Sequence, residues 1–175
     1  MGELRNISLL ELVIMRYFGQ YESPLGLITI QCDEQGITGI WFETHTTRPE
    51  DLGTQEQDFP LLQQAKGQLE QYFARQRHEF TVPLSLYGTV FQRQVWRALM
   101  SIPFGETRSY QDLAEQIGNP KAVRAVGSAN GRNPISVLIP CHRVVGKNGQ
   151  LSGYAGGVER KQALLELEGV LPLSK

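Results

Sequence analysis

Gly118-Asn119-Pro120 stands between two stretches whose apolar residues recur every three or four positions, and no other feature restricts the fold of this chain as strongly. Glycine supplies the left-handed position that ends one helix, and proline starts the next where no N–H is needed. The spacing therefore predicts a helix-turn-helix. Its first helix opens at Ser109, with Asp112 at capping-box spacing, and carries Leu113, Ala114 and Ile117. The second is predicted over 120–129. Lys121, Arg124 and Ser128 share one face of it, while Ala122, Ala125, Gly127, Ser128 and Ala129 keep its surface low. A low, basic helix can press against a nucleic-acid backbone; small residues equally permit tight helix packing.

The chain before this motif changes period. Tyr17 to Tyr21, Leu25 to Cys32 and Ile37 to Glu43 read as strands, separated by the turn signals Ser23-Pro24 and Asp33-Glu34-Gln35-Gly36. Connections this short imply an antiparallel meander. Residues 44–57 have no apolar period and are expected to be an exposed loop. A helix begins near Asp58 to Pro60, and Leu62, Ala65, Leu69, Tyr72 and Phe73 give it one face to close over the sheet. Thr89 and Gln92 form another capping box, before a helix with the stripe Phe91, Val95 and Leu99 that should stop before Pro103. A last helix is predicted over 159–168. The class is α+β: residues 1–83 form a small scaffold domain without chemistry, with 1–14 as a mobile extension, and 84–175 a mostly helical domain.

Composition enters through charge. The 175 residues carry a net charge of −1, but residues 1–83 hold 6 Lys/Arg against 12 Asp/Glu and residues 84–175 hold 11 against 6, so the halves carry −6 and +5. A basic half suggests a face that meets a polyanion. Two cysteines, Cys32 and Cys141, make no disulfide framework, and a reducing cytoplasmic compartment is expected. Cys32 has no second thiol near it, and His45 and His78 stand isolated, so no zinc site is expected. The apolar run over 7–14 contains Glu11 and lacks a basic leader, which argues against a signal peptide or membrane span.

The chemistry concentrates in Pro140-Cys141-His142-Arg143-Val144. Thiolates are strong nucleophiles, and a neighbouring histidine can generate one. Glu168 is anomalous: a carboxylate in a last helical turn opposes the helix dipole, so a buried one needs a specific partner. Cys141, His142 and Glu168 thus supply a nucleophile, a base and a group to orient the base. From these residues alone a cysteine hydrolase competes with other readings, although an arginine-bearing helix-turn-helix would have no role in one. Gly153 to Gly157 lacks the spacing of a phosphate-binding loop.

Together with Tyr110, Arg124, Asn133 and Gly153-Tyr154-Ala155-Gly156-Gly157, the stretch resembles the active-site signature of the O6-alkylguanine-DNA alkyltransferases over about residues 88–170. That resemblance implies a ribonuclease H-like N-terminal domain and direct reversal of damage. The alkyl group of O6-alkylguanine, and of O4-alkylthymine, would pass irreversibly to Cys141. It makes His142 a base acting through a water, Glu168 the holder of the imidazole and Asn133 the hinge between the Cys loop and the helix-turn-helix. Tyr110 would donate to guanine N3, and Arg124 would fill the space of the extruded base. The carbonyls of Cys141 and Val144 would accept from the guanine amino group, and the Ala155 N–H would address O6. Lys121, Ala122, Val123, Ala125, Gly127, Ser128, Arg132 and Tyr154 complete the implied DNA and substrate surface. The implied partner is duplex DNA bound through its minor groove by a monomer, with no cofactor. Val123 in place of a common alanine, with Ser136 and Ala155, varies the surface and the pocket lining, which bears on alkyl size. Two other readings are a lesion-binding module without chemistry, whose known kind lacks the cysteine, and a helix-turn-helix regulator.

Overall fold

The computed structural model describes residues 15–151 and 153–171; the apolar run 7–14 lies outside them. Strands β1 (Tyr17–Ser23), β2 (Gly26–Cys32) and β3 (Ile37–Phe42) form the expected antiparallel meander, with Tyr17 opposite Cys32 and Ile28 opposite Phe42. Its first turn needs Gly26, at φ +113°, and Asp33 Oδ1 builds the second by accepting from the N–H groups of Gln35 and Gly36. The segment expected to be a loop contributes a short strand, β4 (Thr54–Gln55), parallel to β1, so the sheet is mixed, in the order β3-β2-β1-β4. The Arg16 and Phe18 carbonyls on the free edge of β1 accept from Thr54 and Glu56 N–H. Both β4 side chains are exposed, which is why no hydrophobic pattern announced it.

Helix α1 (Pro60–Phe73) closes over this sheet with Leu62, Ala65, Leu69 and Tyr72 buried, each large apolar side chain contributing about 1.5–3 kcal/mol. Its N-cap is Phe59 and not Asp58; Phe59 stacks on Tyr17 at 4.3 Å, and that contact sets the entry of the helix. All six residues of β3 are buried, because the rest of the chain covers its outer edge. Ile37 bridges to Leu84, and Ile40 to Ile135 in the stretch that leads to Cys141. The backbone of β3 is thus shared between the sheet and the site.

The remaining helices are α2 (Val90–Met100), α3 (Tyr110–Gln116), α4 (Val123–Gly131) and α5 (Val158–Leu167), with two-residue strands β5 (Arg108–Ser109) and β6 (Val144–Val145) paired in parallel. Both predicted capping boxes are present, at Thr89 with Gln92 and at Ser109 with Asp112. Gly118, at φ +78°, ends α3 as expected, with Asn119 N–H bonded to Ala114 O. Helix α4 starts three residues later than the sequence suggested. Ala122 N–H bonds back to Asn119 O, and proline at the second position of such a turn sets it rather than a helix. Among the described residues no helix is long and apolar enough to cross a membrane.

Candidate active site

Helix α4 turns its sequence outward in a regular way. Val126, Ala129 and Asn130 are buried against α2 and α3, where Trp96 Nε1 donates to Ala129 O at 2.9 Å. Arg124, Ala125, Ser128 and Arg132 are exposed on the opposite face. Ala125 and Ser128 are therefore not small for the sake of packing; they leave a low outer surface beside Arg124. Lys121 is exposed on the preceding turn, and Ala122 and Val123 are half-buried at the helix entrance. Gly127 faces Tyr110: a Cβ there would meet the Tyr110 ring at 3.9 Å.

Tyr110 is the first residue of α3, and pairing of β5 with β6 brings its backbone beside the strand that follows Cys141. Gly153 lies on its other side, where an added Cβ would stand 3.1 Å from the Tyr110 hydroxyl. Burial, and then the nearby Cys141, raise the Tyr110 pKa above its ordinary value. Its phenol is a donor at neutral pH.

Cys141 begins a 3-10 turn (Cys141–Arg143) after Pro140 and is 5 % exposed. Asn133 braces the approach, its amide donating to Ile139 O at 2.8 Å while its Oδ1 accepts from Ile135 N–H at 3.0 Å. Val137, at φ +71°, is a β-branched residue in the left-handed region, which costs about 1–3 kcal/mol and is held by this bracing. Burial raises the thiol pKa, opposed by Asn133, by the charge of Lys161 and by Ser136. At rest the group is a protonated thiol, so attack requires a base.

His142 is fully buried, and its Nε2 lies 2.7 Å from Glu168 Oε2. Burial, the largest influence, lowers its pKa, with Glu168 pulling the other way, and the ring is neutral at neutral pH. A carboxylate only accepts, so Nε2 carries the proton and Nδ1 keeps its lone pair. Nδ1 is buried with no hydrogen-bond partner among the described residues. A neutral, oriented imidazole with an available lone pair, in the residue that follows a thiol, is a group that can generate a thiolate.

Glu168 caps the C-terminus of α5, where Gly169 at φ +79° ends the helix. The partner that its position demanded turns out to be a cluster. Besides His142, Arg143 binds it through Nε to Oε1 at 2.7 Å and Nη2 to Oε2 at 3.1 Å, and the Tyr72 hydroxyl donates to Oε2 at 2.5 Å. Burial alone would raise the carboxyl pKa; His142 and Arg143 outweigh it and hold it at about 2.

Tyr154 is buried, and its hydroxyl pairs with Ser136 at 2.7 Å. Its loop is tied to the sheet through Arg160, whose Nη1 donates to Gly156 O and Thr44 Oγ1 and whose Nε donates to Leu25 O. Ala155 is half-buried within that loop. The Val144 carbonyl accepts from the fully buried Lys161. The structure thus gathers Cys141, His142, Glu168, Asn133, Tyr110, Val144 and Tyr154, while Arg124, Lys121 and Arg132 stand on the surface outside.

Sequence reasoning missed Tyr72, Arg143, Arg160 and Lys161. Lys161 carried a signal, because with Leu164, Leu165 and Glu168 it falls on one helical stripe, and a charge there must be buried and paired.

The family described as 6-O-methylguanine DNA methyltransferase, DNA binding domain, matches residues 90–170, and its ribonuclease-like domain matches residues 16–86. The methylated-DNA–protein-cysteine methyltransferase of Methanosarcina acetivorans is 47 % identical over 87 % of this chain and 98 % of its own length. The constitutive enzyme of that name from Bacillus subtilis is 46 % identical over 89 % and 97 %. A crystal structure of Mycobacterium tuberculosis OGT in complex with DNA superposes with a TM-score of 0.82 at 47 % identity, covering 87 % of this chain and 93 % of that one. The chain belongs to the 6-O-methylguanine DNA methyltransferase family.

Proposed function

We propose that Cys141 is the alkyl acceptor, that His142 is its base and that Glu168 holds the base in its productive tautomer. The protein is a methylated-DNA–protein-cysteine methyltransferase, which repairs DNA by direct reversal and is consumed by one turnover. The observation that carries the assignment of roles is that His142, the residue after the buried Cys141, has its Nε2 fixed by Glu168 and its buried Nδ1 without a partner among the described residues.

In this scheme His142 Nδ1 takes the thiol proton through a bridging water, as the family resemblance implies. The sulfur attacks the alkyl carbon, an S–C bond forms and the C–O6 bond breaks with its electron pair going to O6. Tyr110 donates to guanine N3, and the proton lost by the thiol ends on the released guanine. The thioether has no leaving group that water can displace, so each molecule acts once. Mixed with excess O6-methylguanine duplex, the protein should remove one equivalent and stop; continued turnover would refute the scheme.

O6 is hidden within a duplex, so the nucleotide must be flipped, at a cost of a few kcal/mol. The exposed Arg124 on its low helix face suits insertion beside the vacated stack, with Lys121, Ala125, Ser128 and Arg132 against the backbone. We assign this face to the minor groove, the protein to a monomer, and its place of action to the cytoplasm. Arg124→Ala should slow transfer from duplex strongly, by about 10²-fold for the few kcal/mol at stake, and spare reaction with free O6-benzylguanine base. Arg124→Lys should rescue only partly, because lysine lacks the planar guanidinium. Equal losses on both substrates in single-turnover kinetics would mean that Arg124 supports the fold. Affinity for duplex should also fall as salt rises, through the phosphate contacts of this face; a titration showing no salt dependence would contradict it.

A further inference from the structure

The N-terminal half carries no catalytic constellation in its sequence, yet it places one polar atom on the triad. Tyr72, from α1, is fully buried, and its hydroxyl donates at 2.5 Å to Glu168 Oε2, the same oxygen that accepts His142 Nε2 at 2.7 Å. The ring is fixed from three sides: Phe73 at 5.3 Å, Phe80 at 5.4 Å and Phe104 at 6.2 Å between centroids. Phe104 is itself stacked on His78 at 3.9 Å, and the chain beyond α1 is pinned by Gln68, which accepts from Thr81 N–H and donates to Thr81 Oγ1. The hydroxyl cannot swing away, so its hydrogen bond is a built feature of the site.

We propose that Tyr72 is a positioning residue that sets the basicity of His142 through Glu168, so that the scaffold half of the chain tunes the alkyl-transfer half. This rests on the assignment of His142 as base. A third donor on Oε2 draws off negative charge that would otherwise stabilise the imidazolium. Tyr72 therefore makes Glu168 a weaker partner for charged His142 and keeps His142 neutral to lower pH. The charged and titratable groups around the pair are Tyr72 from α1, Arg143 and Cys141 from the 3-10 turn, Lys161 from α5 and, facing Tyr72, Tyr154 from the loop before α5. Arg143 and Lys161 act in the same direction as Tyr72, since both disfavour a second positive charge on the ring. Burial and the adjacent Glu168 hold the Tyr72 pKa well above its ordinary value, so the phenol remains a donor throughout the working range.

The test is the pH profile of single-turnover transfer from free O6-benzylguanine, which leaves DNA binding and flipping out of the reading. Tyr72→Phe keeps the ring and removes the donor, and the acidic limb of the profile should move to higher pH by about half a unit, with a change of less than about threefold on the alkaline plateau. Incorporating fluorotyrosine at position 72 keeps shape and donor, strengthens the hydrogen bond, and should move the limb the opposite way. ¹⁵N resonances of the His142 ring should titrate in parallel. A folded Tyr72→Phe protein with the wild-type profile and ring titration overturns the proposal; so do shifts of the same sign in both variants. Should Tyr72→Phe not fold, the fluorotyrosine protein decides alone. A wild-type protein that transfers nothing from O6-methylguanine duplex either would instead refute the underlying assignment of His142 and Cys141, a result distinct from an unshifted profile.

Discussion

Cys141→Ala should abolish alkyl transfer and leave binding of O6-methylguanine duplex within a few-fold of wild type. The second thiol does not stand in for it: Cys32 is buried in the sheet as the last residue of β2, where burial and then the neighbouring Asp33 push its thiol up to about 12. The groups assigned to flipping and base contact do not depend on the sulfur. Arg124 is on α4, Tyr110 on α3 and Ala155 in the Gly153 to Gly157 loop, and each is held by its own element. Removing one buried sulfur leaves a small cavity, costing about 1 kcal/mol, so the variant folds. Gel-shift titration beside a label-transfer assay checks both halves of the expectation. A folded variant that no longer binds lesion DNA would show that binding and chemistry are not separable as described.

Glu168→Gln should combine a large loss of stability with a large loss of rate. Glutamine fills the same volume but leaves the buried Arg143 without its bidentate partner, and breaking a buried ion pair from one side costs about 3–5 kcal/mol. For a chain of this length that corresponds to a fall in Tm of roughly 10 °C. The rate should fall by about 10²-fold or more, because the ring loses the carboxylate that fixes its tautomer and stabilises its charged form. The pH dependence of the stability difference has a definite sign. Glu168 is held at about 2 in the fold against an ordinary 4.5, so its contribution is complete above the ordinary value and is lost as pH falls through about 2. The gap between wild type and Glu168→Gln should therefore narrow on acidification across that window. Thermal melts at a series of pH values measure it, and a gap independent of pH would mean that Arg143 and His142 do not hold the carboxylate as described.

What the sequence disclosed, and what it withheld, follows from the range of each interaction. The β meander, the two capping boxes and the Gly118 helix stop are local, written in residues two to four positions apart, and they stand where the spacing put them. Glu168 was legible as an anomaly for the same reason: a carboxylate opposing a helix dipole is a local contradiction. Its resolution was not legible, because Tyr72 lies 96 residues away on another helix and nothing near Tyr72 distinguishes it from the other apolar members of its stripe. Arg143 stood within the motif, yet its partner Glu168 lies 25 residues on and became legible only once the last helix was placed. The late start of α4 turned on a choice between two uses of Pro120, first residue of a helix or second residue of a turn, and the Asn119 carbonyl decided it. The short strand β4 rests on backbone groups alone, which side-chain patterns do not encode.

The central claim, that the alkyl group ends on Cys141, has a direct measurement: intact mass after reaction with O6-methylguanine duplex, followed by tryptic mapping. Cleavage after Arg132 and Arg143 isolates residues 133–143, which contain Cys141 and no other nucleophilic thiol. The whole protein should gain one increment of about 14 Da, the mass of a methyl replacing a thiol hydrogen, and that increment should lie in this peptide alone. An unchanged mass, or an increment on any other peptide, would contradict the account.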